Sequence, residues 1–160
     1  MSDQLHVTFV CSGNICRSPM AEKMFAEQIK RRGLGERVRV SSAGTGGWHA
    51  GDGADRRANR VLRANGYPTE HVAAQLADDH LSADLVVALG RNHVRLLTEL
   101  GVEPDRIRML RSFDPRSGAH ALDVEDPYYG DQSEFEETFT VIEASLPGLH
   151  AWVDDRLRGP

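Results

Sequence analysis

Four short apolar runs have the length of β-strands, and they alternate with segments whose apolar residues recur at helical spacing. The predicted strands are Leu5 to Val10, Val38 to Ser42, Leu85 to Leu89 and Ile107 to Leu110. The third run is continuously apolar, as expected of a central parallel strand, and the fourth is weaker and predicts an edge strand. Strands that alternate with helices indicate a mainly parallel sheet with helices on both faces. The pattern therefore predicts an α/β fold.

The helical segments are marked by capping residues at their starts and by glycines at their ends. Ser18 is predicted to cap the first helix, with Pro19 at its first position, and Asp55 is predicted to cap the second. Pro147 is expected to kink the last helix or to divide it in two, because proline cannot donate a backbone hydrogen bond. The predicted helices are residues 18–33, 55–66, 91–100 and 135–157. Residues 43–51 and 111–133 are predicted to be loops.

The stretch from Val7 to Pro19 joins the first strand to the first helix and combines a nucleophile with an anion site. Cys11 follows the carboxyl end of the strand, where α/β sheets bind ligands. Gly13 and Asn14 tolerate a left-handed backbone, so the loop amides and the helix N-terminus can surround an anion. Arg17 adds a planar two-point grip on a tetrahedral oxyanion, and its charge favours a thiolate. A nucleotide P-loop is excluded, since no Gly-Lys-Ser/Thr follows.

A thiolate that attacks a phosphate ester needs a general acid for the leaving oxygen. Two Asp-Pro steps, at Asp114 and Asp126, offer candidates in the long loop. We favour Asp126, because acidic neighbours promote its protonated form and because Tyr128 and Tyr129 supply aromatic walls. The alternative is that the second Asp-Pro step only forms a turn.

Composition narrows the function classes. The 160 residues fit one domain, and a net charge of −5 argues against nucleic acid as a partner. Cys11 and Cys16 are too few for a disulfide scaffold or a four-thiolate metal site, and we expect no metal and no cofactor. The start has no basic and apolar signal sequence, and no apolar run is long enough for membrane insertion, so we expect a cytoplasmic protein, with another export route left open. The histidines without ligand spacing are His6, His80, His120 and His150.

The two outer motifs resemble those of the low-molecular-weight protein tyrosine phosphatases. The match comprises Val10 to Pro19 and Asp126 to Gly130, with weaker matches in the same order between them. The resemblance implies one domain over residues 1–160, with a four-stranded parallel sheet in the flavodoxin-like order 2-1-3-4. It also implies a monomeric hydrolase of phosphotyrosine proteins and aryl phosphates, with inorganic phosphate as product and inhibitor.

The same resemblance implies the chemical roles. Cys11 would form a phosphocysteine, Arg17 would bind the phosphoryl oxygens, and Asp126 would protonate the phenolate and then activate water. Ser18 would hydrogen-bond the thiolate. The phosphate-binding loop would comprise Ser12, Gly13, Asn14, Ile15, Cys16 and Ser18.

Supporting roles follow from the resemblance as well. Asn14 would hold the loop through a network with Ser42 and His71. Trp48 and His49 would shape substrate choice in a pocket shared with Tyr128 and Tyr129. Cys16 would form a reversible, redox-sensitive disulfide with Cys11.

One departure and two alternatives complete the sequence picture. Family members commonly carry Asp at the end of the third strand, where this chain has Gly90; this departure concerns the local capping of the following helix and none of the chemical roles. A thiol-linked arsenate reductase shares the loop, but it needs further cysteines and none follows Cys16. A phosphotyrosine-binding module is disfavoured by the retained Cys11 and Asp126.

Overall fold

A parallel sheet of four strands forms the centre of the computed structural model, which describes residues 4–117 and 122–159. The strands are β1 (Leu5–Cys11), β2 (Val38–Gly44), β3 (Leu85–Ala88) and β4 (Ile107–Met109). Their order is β2-β1-β3-β4, which confirms the predicted order 2-1-3-4. The central position of β3, buried along its whole length, and the edge position of β4 are confirmed as well.

Five α-helices surround the sheet in the described part of the chain: α1 (Arg17–Arg31), α2 (Arg56–Ala64), α3 (Asp78–Leu81), α4 (Arg91–Glu99) and α5 (Gln132–Arg158). Single 3₁₀ turns cover Pro104–Arg106 and Leu110–Phe113. The 3₁₀ turns and α3 were not predicted, because segments of three or four residues are too short to show a helical period. No helix in the described ranges is long and apolar enough to cross a bilayer. His120 lies outside those ranges.

The side chains of β1 point alternately to the two faces of the sheet, and each face carries its own apolar cluster. Val7 and Phe9 belong to one apolar cluster, which they share with residues of α1, α2 and α5. Val10 faces the other way and joins a smaller cluster with Val86 of β3 and Leu97 of α4. Successive side chains of a strand point to opposite faces, so this division confirms the predicted helices on both faces.

The start of α1 differs from the prediction. The helix begins at Arg17, two residues before Pro19, and no side chain caps it. Ser18 lies inside the helix, where its hydroxyl bonds to Cys11 Sγ and to Asn14 instead of to the helix backbone. The predicted cap at Ser18 was therefore wrong, because the adjoining loop takes up this hydroxyl. The predicted cap at Asp55 is confirmed, since its carboxylate accepts from Arg57 N at 2.8 Å.

The last helix, α5, runs through Pro147 as one element of 27 residues. Of the two outcomes expected there, division into two helices does not occur. The next residue, Gly148, lies against the backbone of Phe113, where a Cβ atom would come within 2.1 Å of the Phe113 carbonyl oxygen. The absence of a side chain at position 148 therefore lets α5 pack closely against the 3₁₀ turn at Leu110–Phe113.

Candidate active site

An open cleft of about 370 Å³ lies at the carboxyl end of β1. It brings together two segments far apart in sequence: the cysteine loop, residues 11–17, and the aspartate segment, residues 123–130. The cleft is lined by Cys11, Ser12, Gly13, Ile15, Cys16, Arg17, Trp48, His49, Asp126, Tyr128 and Tyr129. The remaining four predicted site residues, Asn14, Ser18, Ser42 and His71, do not line it but form one hydrogen-bonded group with the loop.

Asn14 fixes the turn of the cysteine loop. Its φ of 57° is the one positive value at a non-glycine residue in the described ranges, and asparagine tolerates that region better than most residues. The side chain is fully buried, with Nδ2 donating to Ser18 Oγ at 2.8 Å and to Ser42 Oγ at 2.9 Å. Oδ1 accepts from Ala74 N at 2.9 Å, which sets the orientation of the amide.

Ser18 Oγ and Cys11 Sγ are 2.9 Å apart, and either atom can donate the hydrogen bond between them. Ser18 Oγ already accepts from Asn14 Nδ2. Its own proton is therefore available for the sulfur of Cys11. The hydroxyl of Ser18 therefore contacts both the sulfur of Cys11 and the amide of Asn14.

His71 supports the loop from behind. Its Nε2 donates to the Asn14 carbonyl oxygen at 2.8 Å, and its Nδ1 lies 3.8 Å from Glu22 Oε1. Ser42 Oγ donates to the same carboxylate of Glu22. Burial lowers the pKa of His71, which leaves a neutral ring with one N–H for the loop carbonyl.

Gly44, at the end of β2, lies directly behind the cysteine loop. A Cβ atom at this position would be 2.8 Å from the Ser12 carbonyl oxygen and 3.1 Å from Asn14 N. The neighbouring amides of Thr45 and Gly46 donate to the carbonyl oxygens of Cys11 and Ser12, at 2.9 and 3.0 Å. The strand thus contacts the loop at backbone distance, which a side chain at position 44 would prevent.

Arg17 connects the cysteine loop to the aspartate segment. The residue is 7% exposed, and its Nη1 donates to the Val124 carbonyl oxygen at 3.0 Å. Its Nη2 lies 3.6 Å from Asp126 Oδ2. One guanidinium therefore holds the segment through Nη1, and its Nη2 faces the carboxylate in the cleft.

Asp126 lies at the mouth of the cleft, and Tyr128 N donates to its Oδ1 at 3.1 Å. The other candidate acid, Asp114, is not among the cleft residues. Its Oδ1 accepts from Arg116 N at 2.9 Å, which closes a local turn. Geometry therefore favours Asp126 over Asp114.

Aromatic rings form the walls of the cleft. Trp48 is 75% exposed and folds back over Gly46. The His49 and Tyr128 ring centroids are 6.2 Å apart, and Tyr128 and Tyr129 meet edge to face at 4.9 Å. Large apolar surfaces next to an anion site suit a ligand that carries a flat ring.

His93 belongs to one of the weaker family matches, Arg91-Asn92-His93, but the sequence predicted no role for it in the site. Its Nε2 lies 3.0 Å from Ser12 Oγ, and its Nδ1 has no hydrogen-bond partner among the described residues. Burial, with a smaller contribution from Arg17, lowers the pKa of His93 to about 4. The ring is therefore neutral at physiological pH. A signal was available, since His93 precedes the buried Leu97 by four residues and shares its helix face.

Arg57 was also missed, because helical spacing placed it away from the buried face. Its Nη1 donates to the Gly130 carbonyl oxygen at 2.7 Å and its Nη2 to the Tyr128 carbonyl oxygen at 2.9 Å. Asp55 pairs with the same guanidinium at 2.9 Å, and Asp55 N donates to the Ile15 carbonyl oxygen at 2.8 Å. The two residues form a second link between the cysteine loop and the aspartate segment.

Cys16 is a free thiol and is 4% exposed. Burial raises its pKa far above the ordinary value for cysteine, and Asp55 and Cys11 add to the effect. Cys16 is consequently protonated at neutral pH.

Comparison with known proteins identifies the family of this chain. Residues 6–158 match the family model described as low molecular weight phosphotyrosine protein phosphatase. The low molecular weight protein-tyrosine phosphatase A of Mycobacterium tuberculosis is 74% identical over 157 residues, which cover 98% of this chain and 96% of that protein.

Solved structures are similar as well. A protein tyrosine phosphatase from Entamoeba histolytica superposes with a TM-score of 0.88 at 27% identity, covering 95% of this chain and 98% of that one. The arginine phosphatase YwlE, known from Bacillus subtilis, superposes with a TM-score of 0.83 at 31% identity, covering 96% of this chain and 98% of that one. The extent of the sequence match and the shared fold lead to one conclusion: the chain belongs to the low molecular weight phosphotyrosine protein phosphatase family.

Proposed function

We propose that the protein is a protein-tyrosine phosphatase that hydrolyses phosphotyrosine and aryl phosphates through a phosphocysteine. One observation carries the proposal: Cys11, Arg17 and Asp126 line the same cleft, although Asp126 is more than a hundred residues from the loop. A nucleophile, an anion-binding cation and a candidate acid in one cleft are the components that phosphoryl transfer to a thiolate requires.

In the first step, the Cys11 thiolate attacks phosphorus, a P–S bond forms, and the bond to the phenolic oxygen breaks. Arg17 and the loop amides hold the non-bridging oxygens, where charge is spread in the transition state. Asp126 gives its proton to the leaving oxygen, so that a neutral phenol departs. Ser18 donates a hydrogen bond to the thiolate, since its Oγ lies 2.9 Å from Sγ.

In the second step, a water molecule attacks the phosphocysteine and Asp126 accepts its proton. The P–S bond breaks, and the Cys11 thiolate and inorganic phosphate are released. Phosphate occupies the same loop as the substrate phosphoryl group and therefore acts as a competitive inhibitor. The cycle consumes one water molecule and uses no cofactor.

Tyrosine-phosphorylated proteins are the substrates that the walls favour. Trp48 and Tyr128 offer flat apolar surfaces to a phenyl ring, and Ile15 adds an aliphatic contact at the loop. A phosphorylated guanidinium is the second candidate, since the structurally similar YwlE is an arginine phosphatase. The kcat/KM values for phosphotyrosine and phosphoarginine peptides distinguish the two candidates.

Three further properties belong to the proposal. The nucleophile, the cation and the acid all belong to one copy of the chain, so the proposed reaction needs no residue from a second copy and we propose a monomer. A reduced Cys11 is required for attack, which supports action in a reducing compartment such as the cytoplasm.

The third property is reversible oxidation of the nucleophile. A peroxide converts the Cys11 thiolate to a sulfenic acid, and the Cys16 thiol condenses with it to give a disulfide and water. A dithiol reductant reverses the disulfide.

Hydrolysis of a series of aryl phosphates in EDTA tests the chemistry, with Cys11→Ser and Asp126→Asn alongside the unmodified protein. Cys11→Ser should be inactive. Asp126→Asn should lose roughly 100-fold or more in kcat on phenyl phosphate and much less on p-nitrophenyl phosphate, whose leaving group needs less help from an acid. An active Cys11→Ser protein would contradict the nucleophile, and an equal loss on every leaving group would contradict the acid.

Matched phosphotyrosine and phosphoarginine peptides test the substrate class. A higher kcat/KM for phosphotyrosine supports the proposal, and the reverse order assigns the protein to arginine dephosphorylation. Tight binding of either peptide without phosphate release would indicate a binding module.

A further inference from the structure

The N-terminus of α4 has no cap from its own sequence. Gly90, the residue before the helix, has an extended backbone with φ −156° and ψ 164° and carries no side chain. The first amides of a helix lack acceptors within it, and a side-chain oxygen ordinarily supplies one. Here that oxygen comes from another part of the chain, since Asp123 Oδ1 accepts from Arg91 N at 2.7 Å.

Asp123 opens the aspartate segment, so the cap of α4 also holds that segment. The Asp123 carbonyl oxygen accepts from Arg111 Nη1 at 3.2 Å. The next residue, Val124, donates to the Leu89 carbonyl oxygen at 2.8 Å, immediately after β3, and accepts from Arg17. Val124 is 2% exposed. Asp123 fixes the segment to α4, and Val124 fixes it to the end of β3 and to Arg17. Val124 lies two positions before Asp126.

A Cβ atom at position 90 would be in ordinary contact with Asp123 and would require the side chain of Asn92 to shift. A Cβ atom there would lie 3.6 Å from Asp123 Oδ1, 3.4 Å from His93 Nδ1 and 2.9 Å from Asn92 Oδ1. A carboxylate carried by residue 90 would compete with Asp123 for the same amide. Its extended backbone does not itself require glycine, so the position accepts a side chain without conformational strain.

We propose that Asp123 is a positioning residue, which caps α4 from the aspartate segment and thereby holds Asp126 at the cleft. The inference rests on the proposed function, in which Asp126 is the general acid. Displacement of a general acid by about 1 Å is enough to slow the step that it assists, even when the acid itself is intact.

Replacement of Asp123 by Ala tests this role. Asp123→Ala should lower kcat on phenyl phosphate by roughly tenfold or more and lower it less on p-nitrophenyl phosphate. The inhibition constant of inorganic phosphate should change by less than about threefold, because the cysteine loop is not altered. Asp123→Asn, which keeps an acceptor oxygen for Arg91 N, should retain most of the turnover. Glu99→Gln, at an exposed position near the other end of α4, is the matched control and should behave as the unmodified protein.

The double variant Gly90→Asp with Asp123→Ala separates positioning from stability. Asp123→Ala should lower Tm by about 2–4 °C, the effect of a lost helix cap in a chain of this size. Aspartate at position 90 restores a local cap and should recover Tm, whereas turnover of phenyl phosphate should stay low because the bond between the segment and α4 is still missing.

Three outcomes overturn the inference: full turnover in Asp123→Ala, an equal loss on both leaving groups, or recovery of turnover together with Tm in the double variant. Failure of the proposed function is visible elsewhere. If the proposed function is wrong, the loss of kcat in Asp126→Asn should be the same for every leaving group. If Asp126→Asn loses more kcat on phenyl phosphate than on p-nitrophenyl phosphate while Asp123→Ala keeps its full kcat, only the positioning role is contradicted.

Discussion

Arg17 Nη1 donates to the Val124 carbonyl oxygen at 3.0 Å, and this contact ties the cysteine loop to a segment 107 residues further along the chain. The carbonyl is buried, so the bond is protected from water. The same guanidinium is the proposed grip on the phosphoryl group. Arg17 thus contributes both to the proposed phosphoryl binding and to the position of the segment that carries Asp126.

We predict that Arg17→Lys lowers kcat/KM on an aryl phosphate by about 10²–10³-fold. Lysine is a point charge and cannot grip two phosphoryl oxygens while it also satisfies the Val124 carbonyl. Steady-state kinetics with phosphate as inhibitor check the prediction, and phosphate should inhibit the variant more weakly. Arg56→Lys, an exposed arginine of α2, is the matched control. Unchanged phosphate inhibition in Arg17→Lys would contradict the proposed grip.

Asn14 offers a test that separates backbone strain from hydrogen bonding. We predict that Asn14→Ala lowers the free energy of unfolding by about 3–5 kcal/mol, because three partners, two of them buried, lose their bond and alanine disfavours a φ of 57°. Asn14→Gly tolerates that φ and should be more stable than the alanine variant by about 1 kcal/mol. Urea unfolding measures both. Equal stability of the two variants would show that strain contributes nothing.

His93 should make stability depend on pH in a defined window. Its pKa is about 4 in the folded chain and about 6.5 when unfolded, so between these values the unfolded chain binds more protons. The free energy of unfolding should therefore decrease as pH falls from 6.5 towards 4, and should not respond to His93 above that range.

The variant His93→Gln isolates this effect, because the amide can still bond to Ser12 and the other histidines are unchanged. Between pH 6.5 and 4, the free energy of unfolding of this variant should decrease less than that of the unmodified protein, and the difference should be about 3 kcal/mol at most. Urea unfolding at pH 7, 6 and 5 gives the comparison, and parallel curves for the two proteins would refute the prediction.

Trp48→Ala should affect substrate binding without affecting stability. The ring is 75% exposed, so its removal should change the free energy of unfolding by less than about 0.5 kcal/mol. The KM for a phosphotyrosine peptide should rise by roughly tenfold, with kcat nearly unchanged, because the wall contacts the bound ring in the ground state as well. Val72→Ala, another exposed apolar residue, is the control. A KM equal to that of the unmodified protein would exclude Trp48 from the binding surface.

Sequence patterns predicted the elements whose signals are local. The apolar run of β3 and the cap at Asp55 each depend on a few adjacent residues, and both were found. Cys11 and Arg17 were predicted together because the loop that carries them is short. The start of α1 was misplaced by two residues, since Ser18 and Pro19 are good capping residues in isolation but the loop here uses the serine differently.

Features that depend on contacts between distant segments were not predictable in this way. Arg57 lies on the polar side of its helix in sequence, yet it bonds to the backbone of Tyr128 and Gly130. The Asp123 cap of α4 joins residues 32 positions apart. The spacing of apolar residues indicates the secondary structure of one segment and its buried face. It does not indicate which distant residue that segment will contact.

Gly44 has a consequence for the thermodynamics of ligand binding. Because β2 supports the cysteine loop at backbone distance, the loop is already ordered when the sheet has formed. The conformational entropy of this segment is then lost during folding and not on each encounter with a phosphate ester. Phosphate should bind with little entropic penalty from the loop, and it should raise Tm according to its affinity for the folded chain alone.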